Sequence, residues 1–236
     1  MPLSCLVTCE HGGNRVPAAY AGLFTGHENL LASHRGWDPG ALALARQLAR
    51  ALGAPLHYAT VSRLVIDLNR SVGHPRLYGE ATRALAPEAR RHILEQHYLP
   101  YRQRVEDHIR REVEAGHHVV HVSSHSFTPV LDGETRNADV GLLYDPARSG
   151  EAHLAQSWQA ALKAAAPELR ARRNYPYTGT SDGLTAYLRK RFPLTDYVGL
   201  ELEVNQALVL GGSAAWSRLR ASLIASLLNA LGKLPG

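Results

Sequence analysis

Only two cysteines, Cys5 and Cys9, occur in the 236 residues. The segment from Ser4 to Cys9 reads as a strand, and at about 3.3 Å per residue this sets the two thiols about 13 Å apart, beyond the roughly 7 Å between Cα atoms that a disulfide tolerates. Free thiols are expected, which fits a reducing compartment and excludes a thiolate-rich structural zinc site. Long apolar runs are also missing: none reaches the roughly 18 residues of a membrane span. Nor does the N-terminal stretch show a basic region followed by an apolar one, as a signal peptide would. A cytoplasmic protein with no membrane partner is the expectation. Charge of one sign is scarce too, with 26 Lys and Arg against 21 Asp and Glu for a formal charge of +5. The arginines, among them Arg90, Arg91, Arg102, Arg104, Arg110, Arg111, Arg170, Arg172 and Arg173, are spread over apparent helices. No continuous basic stripe of the kind a nucleic-acid binder needs is formed. Anionic small molecules remain compatible substrates.

What is present is a globular composition, 45% hydrophobic and 20% charged, in a chain long enough to bury one substantial core. Segments of strand length alternate with segments of helical period. SCLVTC (4–9), PLHYA (55–59), RLVIDL (63–68), HHVVHVSS (117–124), DVGLLYD (139–145) and YVGLELEVN (197–205) read as strands. PGALALARQLARALG (39–53) reads as a helix with Pro39 in its first turn and Gly53 as its stop. Further helices are expected over 87–116, broken or kinked at Pro100, and over 151–166, 183–190 and 213–231, the last with Ser213 as N-cap. This alternation predicts a single α/β domain over residues 1–236, with a largely parallel or mixed central sheet. No linker or internal repeat divides the chain.

Several of these strands end in polar residues: Glu10 and His11, then Asp67, Asn69 and Arg70, then His125 and Ser126, then Glu203 and Asn205. Strand carboxyl ends in α/β sheets are where sites are usually built. Taken alone, His11 before Gly12 and Gly13 is more readily a turn histidine than a ligand. His125 closes a run containing His117, His118 and His121, most of which must be surface or hydrogen-bonded core groups. Two histidines with one carboxylate would nonetheless form an open zinc site with a position left for water, and hydrolysis would then need a second carboxylate. In 62–71, strand alternation would put Arg63, Val65, Asp67 and Asn69 on one face, where Arg63 and Asp67 must pair or meet a ligand. The functional reading of that segment is a pair of guanidinium forks, Arg63 and Arg70, for a carboxylate or an oxyanion, helped by the Asn69 amide.

Six blocks carry a resemblance. They are Glu10 to Pro17 (EHGGNRVP), His34 to Ala41 (HRGWDPGA), Ser62-Arg63 with Asp67 to Arg70 (DLNR), Ser124 to Phe127 (SHSF), Asn174 to Tyr177 (NYPY) with Gly179, and Glu201 to Gln206 (ELEVNQ). In this order, over about residues 4–210, the chain resembles the N-formylglutamate amidohydrolase family. That resemblance implies a three-layer fold similar to zinc carboxypeptidases and aspartoacylases, of phosphorylase/hydrolase type. It also implies hydrolysis of an N-acyl amino acid, as part of amino-acid metabolism, with one zinc ion per chain. It makes His11 and His125 metal ligands and Glu203 the general base, with Arg63 polarising the carbonyl. Asn69 and Arg70 grip the substrate carboxylate, and Ser126 is carried along as a substrate-binding residue. The superfamily's His-x-x-Glu ligand pair is absent, since His11 is followed by Gly12, Gly13 and Asn14. Asp38 is the expected third ligand, with Glu10 and Asn14 as alternatives. Glu201 is a competing base or a supporting residue. A carboxypeptidase-like enzyme, another N-acyl amino acid deacylase and a non-catalytic carboxylate-binding module of the same fold are the competing functions.

Overall fold

The structure, a computed structural model, describes residues 1–233. Its strands are β1 (Leu3–Cys9), β2 (Leu56–Tyr58), β3 (His118–Phe127), β4 (Val130–Leu131), β5 (Glu134–Thr135), β6 (Val140–Leu143), β7 (Ala171–Arg173) and β8 (Tyr197–Asn205). Its α-helices are α1 (Glu28–Ala32), α2 (Ala41–Leu52), α3 (Glu80–Arg83), α4 (Pro87–Ile93), α5 (Leu99–Glu114), α6 (Ser149–Ala165), α7 (Leu184–Arg189), α8 (Gln206–Leu210) and α9 (Ser213–Leu231). No helix among the described residues is long and apolar enough to cross a membrane.

Six strands form one sheet in the order β2-β1-β3-β8-β6-β7. β2, β1, β3 and β8 run parallel, and β6 turns the direction by pairing antiparallel with β8. The expected three-layer α/β architecture with a mixed, mostly parallel sheet is therefore what the chain adopts. β3 and β8 are buried along almost their whole length, as strands covered on both faces must be. On one face lie α2, α6 and α9 over Val7, Val120, Val122, Val198, Leu200, Leu202 and Val204. α2 fits there because Ala41, Leu44, Ala45, Leu48 and Ala49 recur at helical spacing on one side, and Gly53 closes it in the left-handed conformation at φ 60°. On the other face α5 and α7 pack over Leu6, Val119 and Tyr197, joined by Val65, Ile66 and Leu68 from a loop.

Two local expectations change, and the break expected near Pro100 takes a particular form. RLVIDL is not a strand: the Val65 N–H donates to the Ser62 carbonyl, the Arg63 N–H to Gly36 and the Asp67 N–H to Leu77. Its β-branched residues are buried in the second core, but its backbone is satisfied by its own turns and by neighbouring loops, so no sheet ladder is needed. The helix expected over 87–116 divides at a π-helical turn, Leu94–Tyr98, just ahead of Pro100. Pro100 has no N–H for the preceding turn, and the wider turn absorbs the mismatch. Ser213 is the first helical residue of α9 rather than its cap, which is Gly212. The cysteines are free, as expected.

Candidate active site

Three central strands deliver the site. His11 follows the end of β1, His125 lies near the end of β3, and Glu203 sits directly beside His125 in the β3–β8 register. Asp38 arrives from the loop before α2 and is tied to the first strand end by its N–H donating to the His11 carbonyl at 3.0 Å. Gly12 makes the close passage possible, because a Cβ there would stand 2.9 Å from the Ala59 carbonyl oxygen.

His11, Asp38 and His125 are buried, and one potential ligand atom from each lies within 4.8 Å of the others. Nδ1 of His11 is 3.3 Å and Nδ1 of His125 is 2.8 Å from the same oxygen, Oδ2 of Asp38. The opposite nitrogens are already engaged: Nε2 of His11 lies 2.7 Å from Oδ1 of Asp67, and Nε2 of His125 lies 2.9 Å from the Ser123 hydroxyl and 3.0 Å from Oε2 of Glu10. Were both rings neutral and donating from Nε2, both Nδ1 lone pairs would face Asp38. That is the arrangement of histidines that ligate a metal through one nitrogen and are oriented through the other.

The charges fit a cation. Burial alone would raise the carboxyl groups of Asp38 and Asp67, but His11, His125 and Arg63 hold Asp38, and Arg63, His11 and Arg70 hold Asp67, well below the usual range. Burial likewise opposes charge on His125, yet Asp38 and Glu10 hold its pKa well above that of an ordinary histidine. Glu203 behaves oppositely. Burial, reinforced by Asp38 and Glu201, pushes its pKa up to about 8, and its Oε2 is buried without a hydrogen-bond partner. Buried carboxylates around two histidines, with one carboxylate oxygen unsatisfied, form a donor set that suits a divalent ion and an attached water.

A cavity of about 790 Å³ opens over these groups, lined also by Arg63, Asn69, Arg70, Ser126, Tyr177 and Glu201. Arg63 donates through Nε and Nη2 to Oδ2 of Asp67 at 3.2 and 2.7 Å, while Nη1 lies 3.4 Å from Asp38. Arg70 donates from Nη1 to the Asp182 carbonyl, and its buried Nε has no partner. Asn69 uses Oδ1 to accept the Leu184 N–H at 2.6 Å. The Ser126 hydroxyl donates to the Pro39 carbonyl and accepts from Gln206, so it offers the cavity a wall rather than a donor. Glu201 accepts from the Thr185 hydroxyl at 2.5 Å, unlike the unpartnered Glu203. Of the alternative ligands, Glu10 stands behind His125, and Asn14 is exposed and donates to the Leu31 carbonyl. Arg15 lines a separate cavity of about 220 Å³. Sequence reasoning offered Asp67 as an ion-pair partner of Arg63 but gave it no link to His11; in space it joins the two.

The pattern that defines the N-formylglutamate amidohydrolases matches residues 3–210. Among solved structures, a gene product of Agrobacterium tumefaciens is 32% identical, with 97% of this chain and 90% of that one covered at a TM-score of 0.84. An N-formylglutamate amidohydrolase of Ralstonia eutropha, 19% identical, shares the fold over 95% of this chain and 92% of its own at a TM-score of 0.69. No curated protein matches significantly.

Proposed function

Because the chain belongs to the N-formylglutamate amidohydrolase family, we propose that it hydrolyses the amide bond of an N-acyl amino acid, N-formylglutamate being the type substrate. In this reading, Nδ1 of His11, Nδ1 of His125 and Asp38 would hold one zinc ion. Bound there, zinc supplies a Lewis acid and lowers the pKa of an attached water towards about 7. The observation that carries the reading is the unpartnered, buried Oε2 of Glu203 beside the two-histidine, one-aspartate cluster.

The residues divide the work. Glu203 takes the proton of the attacking water at its free oxygen and returns it to the leaving nitrogen, and its raised pKa, about 8, favours holding that proton between the two transfers. Arg63, anchored on Asp67 and partly open to the cavity, presents positive charge to the oxyanion that develops on the amide carbonyl. Arg70 and the Asn69 amide nitrogen receive the α-carboxylate. A non-catalytic module would have no use for an unsatisfied buried carboxylate at this position, which costs about 1–3 kcal/mol or more. The cavity, in the range that accepts drug-sized ligands and roomier than the roughly dozen heavy atoms of N-formylglutamate require, favours as a second reading a deacylase for a bulkier N-acyl amino acid.

Metal content and hydrolysis test the proposal together. Protein purified without chelator should carry about one zinc per chain and release amino acid from N-formylglutamate or a longer N-acyl homologue. The His11→Ala, His125→Ala double variant should carry none. Stoichiometric zinc in that variant sinks the assignment.

A further inference from the structure

The start of α5 touches both halves of the site without lining it. Tyr101, fully buried, donates its hydroxyl to Oε1 of Glu10 at 2.6 Å. The other oxygen of Glu10 accepts the Ser123 hydroxyl at 2.5 Å, the Ser123 oxygen lies 2.9 Å from Nε2 of His125, and Glu10 itself lies 3.0 Å from that nitrogen. Tyr101 thus orients the carboxylate that orients a candidate metal ligand. One turn away, the Tyr98 hydroxyl donates to the Arg70 carbonyl at 2.7 Å, and Nη1 of Arg102 donates to the Leu68 carbonyl at 3.0 Å. These two carbonyls flank Asn69.

Arg102 is the more unusual of the three. It is buried, its Nε and Nη2 have no hydrogen-bond partner, and its guanidinium lies 5.3 Å from the Tyr98 ring centroid and 4.1 Å from that of Tyr187. A buried arginine is expensive unless its donors are used. Here its one hydrogen bond goes to the site loop, and the two aromatic faces supply the rest of its stabilisation. A helix turn required only for packing would need none of these polar groups.

We propose that this turn is a positioning element with two separable outputs. Tyr101, through Glu10, fixes the ring orientation and tautomer of His125 and so sets metal affinity. Tyr98 and Arg102 fix the backbone on either side of Asn69 and so set affinity for the substrate carboxylate. None of the three touches reacting atoms. The π-helical turn ahead of Pro100 brings Tyr98 and Tyr101 to these two targets from one stretch of helix.

The inference rests on the metal and carboxylate sites proposed above, and the experiment separates its failure from theirs. Zinc affinity of the full chain is measured by competition with a chromophoric chelator, and KM and kcat for N-formylglutamate are measured at saturating zinc. Tyr101→Phe should weaken zinc about tenfold and Glu10→Gln by about 10–100-fold, each with KM within about twofold of wild type. Tyr98→Phe should leave zinc affinity unchanged and raise KM by about 2–10-fold, the loss of one hydrogen bond, and Arg102→Lys should move KM the same way. If Tyr101→Phe and Glu10→Gln both lower zinc affinity while Tyr98→Phe raises KM alone, the two outputs are separate as proposed. Zinc affinity lowered by Glu10→Gln but not by Tyr101→Phe removes Tyr101 from the first output and overturns the proposal. If Tyr98→Phe and Tyr101→Phe shift zinc affinity and KM alike, or neither, the turn is packing only and the proposal is overturned. If His125→Ala loses zinc while Tyr101→Phe and Glu10→Gln bind it like wild type, the metal site stands and this inference falls. If His125→Ala keeps zinc, both fall together.

Discussion

The two faces of the central sheet are built by the same strands and hold opposite chemistry. Facing α2, α6 and α9, the even-numbered residues of β3 and β8 include Val120, Val122, Val198, Leu200, Leu202 and Val204. Facing α5 and α7, the odd-numbered ones include His121, Ser123, His125, Glu201 and Glu203, all buried. Period-two alternation allows this division within a single strand. The apolar face supplies cohesion without direction. The polar face is a column of partnered groups, with His121 between Thr8 and Tyr197, then Ser123 on Glu10, then His125 on Asp38. Only at Glu203 does the column end in an unsatisfied atom. One face thus fixes the backbone rigidly enough for the other to hold charged groups in place.

Neighbouring substitutions on opposite faces should therefore fail in different ways. Glu203→Gln keeps shape but cannot accept a proton; turnover should fall by about 10²–10⁴-fold, with zinc content unchanged by metal analysis. A smaller loss there than in Glu201→Gln would move the base to Glu201. Leu202→Ala, one residue away, should lower unfolding free energy in urea by about 2–5 kcal/mol through the cavity it leaves. Its folded fraction should keep kcat/KM within about twofold. If turnover falls with stability there, the faces are not independent.

His121 extends the contrast to pH. Burial, with Arg189 and other positive neighbours, pushes its pKa down to about 4, whereas an unfolded histidine titrates near 6.5. The unfolded chain then binds the extra proton first, so stability is full above about pH 6.5 and declines as pH falls towards 4, by about 3 kcal/mol in all. Urea unfolding of wild type and His121→Asn across this window should show the variant with the shallower slope. Equal slopes would place the acid-sensitive group elsewhere. The smallest effect is expected at the cavity wall: Arg70→Lys should lose about tenfold in kcat/KM for free-acid substrates, because an ammonium replaces a fork. Arg70→Ala should no longer prefer a free acid over its carboxamide.

Legibility followed the same division. The strands at the centre of the sheet were readable, β8 because its apolar positions recur at period two, β1 and β3 because each is a short apolar run of strand length. The histidines before the site fell as expected, His117 on Glu112, His118 on the Thr195 carbonyl and His121 in the core. The segment 62–71 misled because apolar β-branched residues look alike in a buried strand and in a buried loop, and only the destination of the backbone hydrogen bonds tells them apart. The ligand set His11, Asp38 and His125 came from blocks rather than from periodicity, and the structure brings these three together. The duties expected of Asp38 and Glu203 came only from the resemblance, and the contacts of Glu10 with Tyr101 and of Asp67 with His11 were not readable. Each of these acids is a carboxylate at a strand end or loop, and whether it faces a metal, a histidine, an arginine or nothing depends on distances between segments remote in sequence.

β8 is the last strand of the sheet to be synthesised, yet it lies between β3 and β6 and pairs with both. A chain emerging N-terminus first can assemble β2, β1 and β3, and can pair β6 with β7, but these two parts have no seam until residues 197–205 arrive. Before then β3 and β6 each present a bare edge, the feature that makes nascent chains prone to mispairing. Many of the sheet's contacts are therefore long in sequence, which slows folding. In the proposed reading the base travels on the same strand, so hydrolysis begins only when the sheet is closed, and a ribosome-bound chain short of Glu203 is inert.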